Sequence, residues 1–381
     1  MYRRDVLRLA AASLALPVAA RLHADGAEPV VIGRIRLQDR RVVIPVSFNG
    51  GASMPFIIDT GAVVSVIDEA LAQGMQLSRR GSTTLGGIGG RDTYPLYMAE
   101  NVVFGEAVRQ PTAAFAARQG GFGEFRGALA AGILTALDSD LDLEAGEWRV
   151  YPQGRRSRPG FVRVKGGFVG GQGGQSPRLF AEAEVNGKPL RFLIDTGAPG
   201  GLSLHEGAVR KLGLWDDRRP YAPQRTSGIG GRGGLGRLVR VNSITFAGCR
   251  FERPAILLRQ DGMSRDEDGI IGLSLLRGFN LSTQVSTRSL WVQPHATPKP
   301  LIDDSNRSGL WIEAKGGTAT VADVGTGSPA EAAGVKVGDR IRGNPTELIQ
   351  LIGGPPGKSI TLALDRPGAT TEVSFLLADF L

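Results

Sequence analysis

Apolar and polar positions alternate along much of this chain in short runs that end at glycine or asparagine. Such runs predict short strands joined by tight turns. Val42-Val43-Ile44-Pro45-Val46-Ser47-Phe48 stops at Asn49-Gly50 and is followed by a second apolar run, Pro55-Phe56-Ile57-Ile58. Far along the chain the pattern returns. Phe180-Ala181-Glu182-Ala183-Glu184-Val185 stops at Asn186-Gly187 and is followed by Leu190-Arg191-Phe192-Leu193-Ile194. Asn-Gly between two apolar runs is a hairpin signal, because both residues accept the left-handed backbone such a turn needs. The pattern predicts a mainly β protein.

Both second strands run into the same tetrapeptide, Asp59-Thr60-Gly61-Ala62 and Asp195-Thr196-Gly197-Ala198. Gly87-Ile88-Gly89-Gly90-Arg91 is then echoed by Gly228-Ile229-Gly230-Gly231-Arg232. Next, Ala130-Ala131-Gly132-Ile133-Leu134 is matched to Ile270-Ile271-Gly272-Leu273-Ser274, each followed by a leucine (Leu141, Leu281) and a tryptophan (Trp148, Trp291). Landmarks repeated in one order at similar spacing imply duplication. Two pseudo-symmetric lobes are expected, over residues 25–154 and 178–298. The glycine-rich stretch 155–177 reads as a connection whose Arg155, Arg156 and Arg158 are solvated.

Composition narrows the chemistry. The chain has 381 residues, room for two or three domains. It holds 55 glycines, about twice the usual share, which fits many tight turns. Cys249 is the only cysteine, so an intramolecular disulfide and a cysteine-rich zinc site are both excluded. The only histidines are His23, His205 and His295, poor material for a Ser-His-Asp triad or a histidine metal site. No metal or other cofactor is expected. His205 reads as a surface residue at a helix start, Cys249 as a small buried residue, and Trp148 and Trp291 as core. The formal charge of +8 includes Arg3, Arg4, Arg8 and Arg21 near the N-terminus, and the other basic residues are interspersed with acidic ones. A nucleic-acid partner is not expected.

Residues 1–24 read as an export signal. Arg3-Arg4 precedes an apolar run from Val6 to Ala20 that ends in small residues and is interrupted by Arg8 and Pro17. That run is short of the ~20 apolar residues a bilayer-spanning helix needs, so no stable membrane insertion is expected once the signal is removed. Tyr2-Arg3-Arg4-Asp5-Val6-Leu7 resembles a twin-arginine signal, which implies a periplasmic or secreted protein.

A carboxylate closing an apolar strand at a glycine turn lies where backbone N–H groups can reach it. Two of them, delivered by pseudo-symmetric lobes, can face each other across a cleft and share one proton, one acting as base while the other acts as acid. With the paired Asp-Thr-Gly-Ala turns, the Gly-Ile-Gly-Gly segments and Ile270-Ile271-Gly272, residues 30–298 resemble the bacterial retropepsin-like or pepsin-like aspartic proteases. The resemblance implies a bilobal β fold in which one chain supplies both halves of the site, and therefore a monomer. It implies that Asp59 and Asp195 activate a water for peptide hydrolysis and that the partners are polypeptide substrates. Thr60 and Thr196 would cross-link the catalytic turns, while Gly61 and Gly197, with Ala62 and Ala198, would bring N–H groups to the carboxylates. Gly87, Ile88, Gly89 and Gly90, with Gly228, Ile229, Gly230 and Gly231, would form two flaps. Gly132, Ile270, Ile271 and Gly272 would back the turns. Alanine at 62 and 198, where pepsin-like enzymes carry a hydroxyl, implies a dyad working at milder pH.

Pro298 and Pro300 mark a boundary, after which residues 299–381 resemble a PDZ domain. Gly309-Leu310-Trp311-Ile312 stands where such domains hold a peptide carboxylate. Thr318–Val324 reads as a strand, Ser328-Pro329-Ala330-Glu331 as a capping box, and Asn344-Pro345 as a second helix start. The resemblance implies a C-terminal peptide ligand, though Trp311 replaces the usual second glycine and leaves a regulatory or packing role equally open. Two alternatives to a monomeric endopeptidase stand beside it: a catalytically silent bilobal peptide-binding protein, and a dimer that pairs lobes between chains.

Overall fold

The computed structural model describes residues 30–260, 266–303 and 305–381. The export segment expected over residues 1–24 lies outside them. Among the described residues no helix is long and apolar enough to cross a membrane.

The chain is mainly β and its first three-quarters form two lobes. The first is an eight-stranded sheet with Met54–Ile58 and Gly127–Leu129 running parallel near its middle. The second repeats this with Lys188–Asp195 parallel to Gly269–Gly272. Each of these pairs is packed on both sides and apolar: Phe56, Ile58, Phe192 and Ile194 are all fully buried. The Asn-Gly turns take the left-handed geometry expected of them, with φ of 50° and 73° at Asn49-Gly50 and 52° and 74° at Asn186-Gly187.

A six-stranded antiparallel sheet joins the lobes, in the order Val31–Arg34, Glu147–Tyr151, Asp138–Asp142, Phe279–Gln284, Ser289–Pro294, Val162–Arg163. Three strands come from each side of a local two-fold, and Leu141 lies directly opposite Leu281. The two leucines that recur in the sequence are therefore neighbours at the centre of the interlobe sheet, and both are fully buried. Trp148 is buried beside them, whereas Trp291 is only partly covered.

The connection 155–177 is more than a tether. It contains the strands Val162–Arg163 and Gly166–Gly170, which pair with Ser289–Pro294 and Pro177–Val185. Two of its three arginines, expected to be solvated, have largely covered side chains instead. Arg158 pairs with Asp138 at 2.9 Å with side chains only 5% and 9% exposed, and Arg155 pairs with Asp140. Arg158 also donates to Thr283 O (2.8 Å) and Ser282 Oγ (3.0 Å), while Tyr151 Oη donates to Asp140 Oδ2 (2.8 Å). The cause is the acidic strand Asp138–Asp142: carboxylates placed inside the interlobe sheet need cations, and the connection brings them. Arg156 stays exposed. His205 also departs from expectation. It caps the helix Glu206–Lys211 but is buried, with Nε2 3.8 Å from Glu267 Oε1. Cys249 is partly rather than fully buried.

Residues 310–376 form a five-stranded antiparallel sheet, in the order Leu310–Lys315, Thr318–Val324, Arg340–Ile341, Ser359–Arg366, Ala369–Leu376. The helices Pro329–Ala332 and Pro345–Ile352 start where the sequence signals them. Ser328 Oγ accepts from Glu331 N–H (3.2 Å) and Asn344 Oδ1 from Thr346 N–H (2.9 Å). This domain has its own apolar core, including Leu310, Val321, Leu348 and Leu362.

Asp138→Ala should strand buried Arg158 without its carboxylate and cost about 3–5 kcal/mol in denaturant unfolding. Lys165→Ala, whose ion pair to Glu182 is at the surface, should cost less than about 1 kcal/mol by the same measurement.

Candidate active site

Asp59 directly follows Met54–Ile58, and Asp195 is the last residue of Lys188–Asp195, the two parallel-paired strands. Each carboxylate is gripped by its own turn: Asp59 Oδ1 accepts from Gly61 and Ala62 N–H, both at 3.1 Å. Asp195 Oδ1 accepts from Gly197 N–H at 2.8 Å and Ala198 N–H at 3.0 Å. The turns also interpenetrate. A Cβ on Gly61 would sit 2.6 Å from Asp195 Oδ2, and one on Gly197 would sit 2.6 Å from Asp59 Oδ1. Only glycine lets each turn approach the opposite carboxylate so closely, which brings the two carboxyls near enough to perturb each other.

Thr60 and Thr196 lock this arrangement. Thr60 N–H donates to Thr196 Oγ1 (3.2 Å), whose hydroxyl donates to Ile58 O (2.6 Å). Reciprocally, Thr196 N–H donates to Thr60 Oγ1 (3.0 Å), which donates to Ile194 O (2.7 Å). Both side chains are fully buried. Four hydrogen bonds thus cross between lobes with every participant satisfied.

Burial is the main force on the dyad. Both aspartates retain some access to solvent, yet desolvation raises both carboxyls above their ordinary range. At Asp195 the rise reaches about 8, with the negative charge of Asp59 as the second cause. At Asp59 the rise is opposed by the Ala62 N–H, by the hydrogen bond from Asp195, by the Gly61 N–H and by the charge of Arg41. The pair therefore titrates as a unit, and one proton shared between the two carboxyls relieves their repulsion. Nothing in the sequence pattern singled out Arg41. It follows the tight turn Asp39-Arg40, whose left-handed φ values (46° and 58°) reach the hairpin across to the other lobe, where Arg40 Nη2 donates to Pro199 O at 3.0 Å.

The two Gly-Ile-Gly-Gly segments are hairpin tips, with Gly87 paired to Gly90 and Gly228 to Gly231. The tips touch. Gly89 N–H donates to Ile229 O at 2.9 Å, and a Cβ on Gly87 would sit 2.6 Å from that of Ile229. A Cβ on Gly230 would lie 2.6 Å from Gly90 N, while Ile88 lies 3.5 Å from the corresponding point on Gly228. Ile229 crosses onto an apolar wall of the first lobe made by Leu85, Tyr94, Val66 and Ala128, with Ile57 and Phe122 at its margin. In the second lobe Phe180, Leu193 and Ile270 form the corresponding surface. Nothing in the sequence marks these wall residues, and only the folded pairing distinguishes them from core.

Strand register corrects one expected correspondence. Ile58 lies opposite Leu129, and Ile194 opposite Ile271. The counterpart of Ile270-Ile271-Gly272 is therefore Ala128-Leu129-Ala130, two residues before the segment matched by sequence. Gly272 does back its turn: a Cβ there would fall 2.8 Å from Ala198 O, and Leu273 N–H donates to Ala198 O at 2.7 Å. In the first lobe Ala131 N–H donates to Ala62 O at 3.1 Å, and Gly132 instead opens the helix Gly132–Thr135 against Ser176. The backing position requires a small residue rather than glycine itself, so matching glycine to glycine slipped the register.

Gly309, Leu310, Trp311 and Ile312 do not form an open carboxylate cradle. Leu310 and Ile312 belong to the core of the C-terminal sheet domain, and Trp311 is half-buried on its edge strand. The loop N–H groups are already used: Ser308 N–H donates to Asn306 Oδ1 (3.0 Å), Gly309 N–H to Asn306 O (3.1 Å) and Leu310 N–H to Ser308 Oγ (3.1 Å). Phe380 lies 3.4 Å from where a Cβ on Gly309 would project.

Two stretches of the chain, residues 44–136 and 181–275, each match the family model described as aspartyl protease. Each match contains one aspartate turn and one flap tip. No curated protein matches this chain.

Thr196→Val removes a buried hydroxyl that serves two backbone groups and should cost about 1–3 kcal/mol in denaturant unfolding, with Thr196→Ser closer to wild type. The raised carboxyl of Asp195 sets a pH dependence. The folded chain holds this proton more tightly than the unfolded chain, so the contribution is complete below the ordinary value of 3.8 and is lost as pH climbs to about 8. Melting temperature should therefore fall over that interval, and fall less in Asp195→Asn.

Proposed function

We propose that the chain is an aspartic endopeptidase that hydrolyses polypeptides with a water activated between Asp59 and Asp195. One observation carries this reading: two carboxyls, each gripped by its own turn, meet where the lobes join, each 2.6 Å from where a Cβ on the opposite turn's glycine would project. Ionised Asp59 takes a proton from water as its oxygen attacks the peptide carbonyl carbon, giving a gem-diol. The proton on Asp195 passes to the carbonyl oxygen as charge develops there, completing the gem-diol, and a hydroxyl proton returns to Asp195 on collapse. Collapse of the gem-diol breaks the C–N bond, and Asp59 returns its proton to the leaving nitrogen, so the products are a carboxylic acid and an amine. The touching flap tips would cover a bound segment and exclude water, and the apolar walls beneath them favour apolar side chains beside the scissile bond.

Both carboxylates come from one chain, which supports a monomeric enzyme. The Arg3-Arg4 pair and the apolar run after it support export to the periplasm or beyond. The C-terminal domain, with its PDZ-like order of loop, strand and capped helices, fits a regulatory role better than capture of peptide termini, because its loop amides are already bonded.

Incubation with a mixed peptide library from pH 3 to 8 tests the reading. Wild type should cleave, while Asp59→Asn and Asp195→Asn should each lose at least about 10²- to 10⁴-fold, the share general acid–base catalysis commonly supplies. Mixing the two variants should restore nothing. No wild-type cleavage at any pH would make the protein a peptide binder instead. The rate should fall as pH passes about 8, where Asp195 loses its proton. Arg41→Gln removes a cation that favours the ionised dyad, so both limbs of the profile should move to higher pH.

A further inference from the structure

The two flaps are alike at their tips and different at their roots. In the first, the paired strands Ser78–Gly87 and Gly90–Phe104 run without interruption from Ser82 opposite Pro95 to the tip. The break in register lies at the root, between Arg79 and Ser82, where Gly81 has φ of 112° and a Cβ would meet nothing. Among the described residues no hydrogen bond or ion pair ties this hairpin to the C-terminal domain.

In the second flap the break lies partway along the hairpin. Arg225 is opposite Leu235, Ser227 is opposite Arg232, and the intervening residues form a bulge. A bulge interrupts the ladder and is where a hairpin bends. Here Arg225 fills the gap: its Nη1 donates to Gly233 O on the facing strand at 2.9 Å. Its other amino group is ion-paired to Glu313, on the edge strand Leu310–Lys315 of the C-terminal domain. The root of the same hairpin is fastened to that domain as well. Tyr221 Oη faces Asp323 Oδ1 (3.0 Å) and Val324 O (3.1 Å), and Tyr221 N–H donates to Thr326 O (3.2 Å). Ala222 and Leu238 pack with Phe380 and Leu381.

We propose that Arg225 is a positioning residue which, held by Glu313, stiffens the second flap at its bulge, so that the C-terminal domain braces this flap and the first flap is the moving gate. The effect on cleavage rests on the peptidase reading, whereas the stiffening does not. A contact that alters the edge strand Leu310–Lys315 then reaches the cleft through one guanidinium.

Amide hydrogen exchange on the full chain tests this without requiring activity. Glu313→Gln keeps the size of the side chain and removes its charge. Exchange across Ala222–Gly228 and Gly231–Arg240 should quicken about 2- to 5-fold, the range expected for loss of one partly exposed ion pair, while Ser78–Gly87 keeps its wild-type rate. Arg225→Gln, which keeps an amide donor for Gly233 O and loses the same ion pair from the other side, should quicken exchange to a similar extent, and adding Glu313→Gln to it should quicken it little further. Unchanged exchange in the second flap, equal quickening of both flaps, or fully additive quickening in the double variant would each overturn the proposal. On a peptide substrate Glu313→Gln should raise KM by a similar factor with kcat within about twofold, since the dyad is untouched. A wild-type chain that cleaves nothing but shows the expected exchange pattern would remove the hydrolytic reading and leave the brace standing.

Discussion

Two like acids buried side by side repel and lose hydration, so an isolated chain has no reason to bring them together. What brings them together is the exchange of hydrogen bonds between Thr60 and Thr196. Each threonine hydroxyl accepts from the backbone of the other lobe and donates to a carbonyl of the other lobe. Neither turn is satisfied alone, because a lobe on its own would hold a buried N–H and a buried carbonyl without partners. The requirement for satisfaction is therefore met only when the lobes meet, and the missing side chains of Gly61 and Gly197 let the carboxyls close up behind the lock. The interlobe sheet reinforces this from another part of the lobe interface, with Leu141 against Leu281 and the buried Asp138–Arg158 pair.

Much of this was legible in the sequence because it depends on local backbone chemistry. Asn-Gly turns, Asp-Thr-Gly turns and Gly-Ile-Gly-Gly tips each need particular backbone conformations or close approaches, which few residue types allow, so their repetition carried the duplication and the pairing of the aspartates. The helix starts at Ser328 and Asn344 were readable for the same reason. Readings that depended on tertiary pairing failed. Gly132 looked like the partner of Gly272 because both are glycines, but the position is defined by which residue lies beside the aspartate across a parallel ladder, and Ala130 is small enough to fill it. Arg155 and Arg158 looked like surface charge because the acids that bury them, Asp138 and Asp140, belong to a strand whose inward face a polar run does not reveal. His205 and Arg41 are similar cases, in which burial and neighbours come from distant parts of the chain.

Fusion of the two halves removes a restriction that symmetry would impose. In a symmetric dimer each change in one half is copied in the other, but here the lobes have diverged where divergence matters. Ala130 backs one turn and Gly272 the other. Val43 occupies the place in the first lobe that the large ring of Phe180, covered by Arg178 and Arg191, occupies in the second. The two acids also differ in surroundings: the charge of Asp59 adds to the rise at Asp195, whereas the charge of Arg41 opposes the rise at Asp59. Only the second flap carries a bulge filled by an arginine that another domain holds. A cleft with two unequal walls, two unequal acids and two unequal covers presents different surroundings on its two sides. A peptide is itself directional, so under the proposed function this asymmetry would give a duplicated scaffold a means to distinguish the two ends of a bound segment.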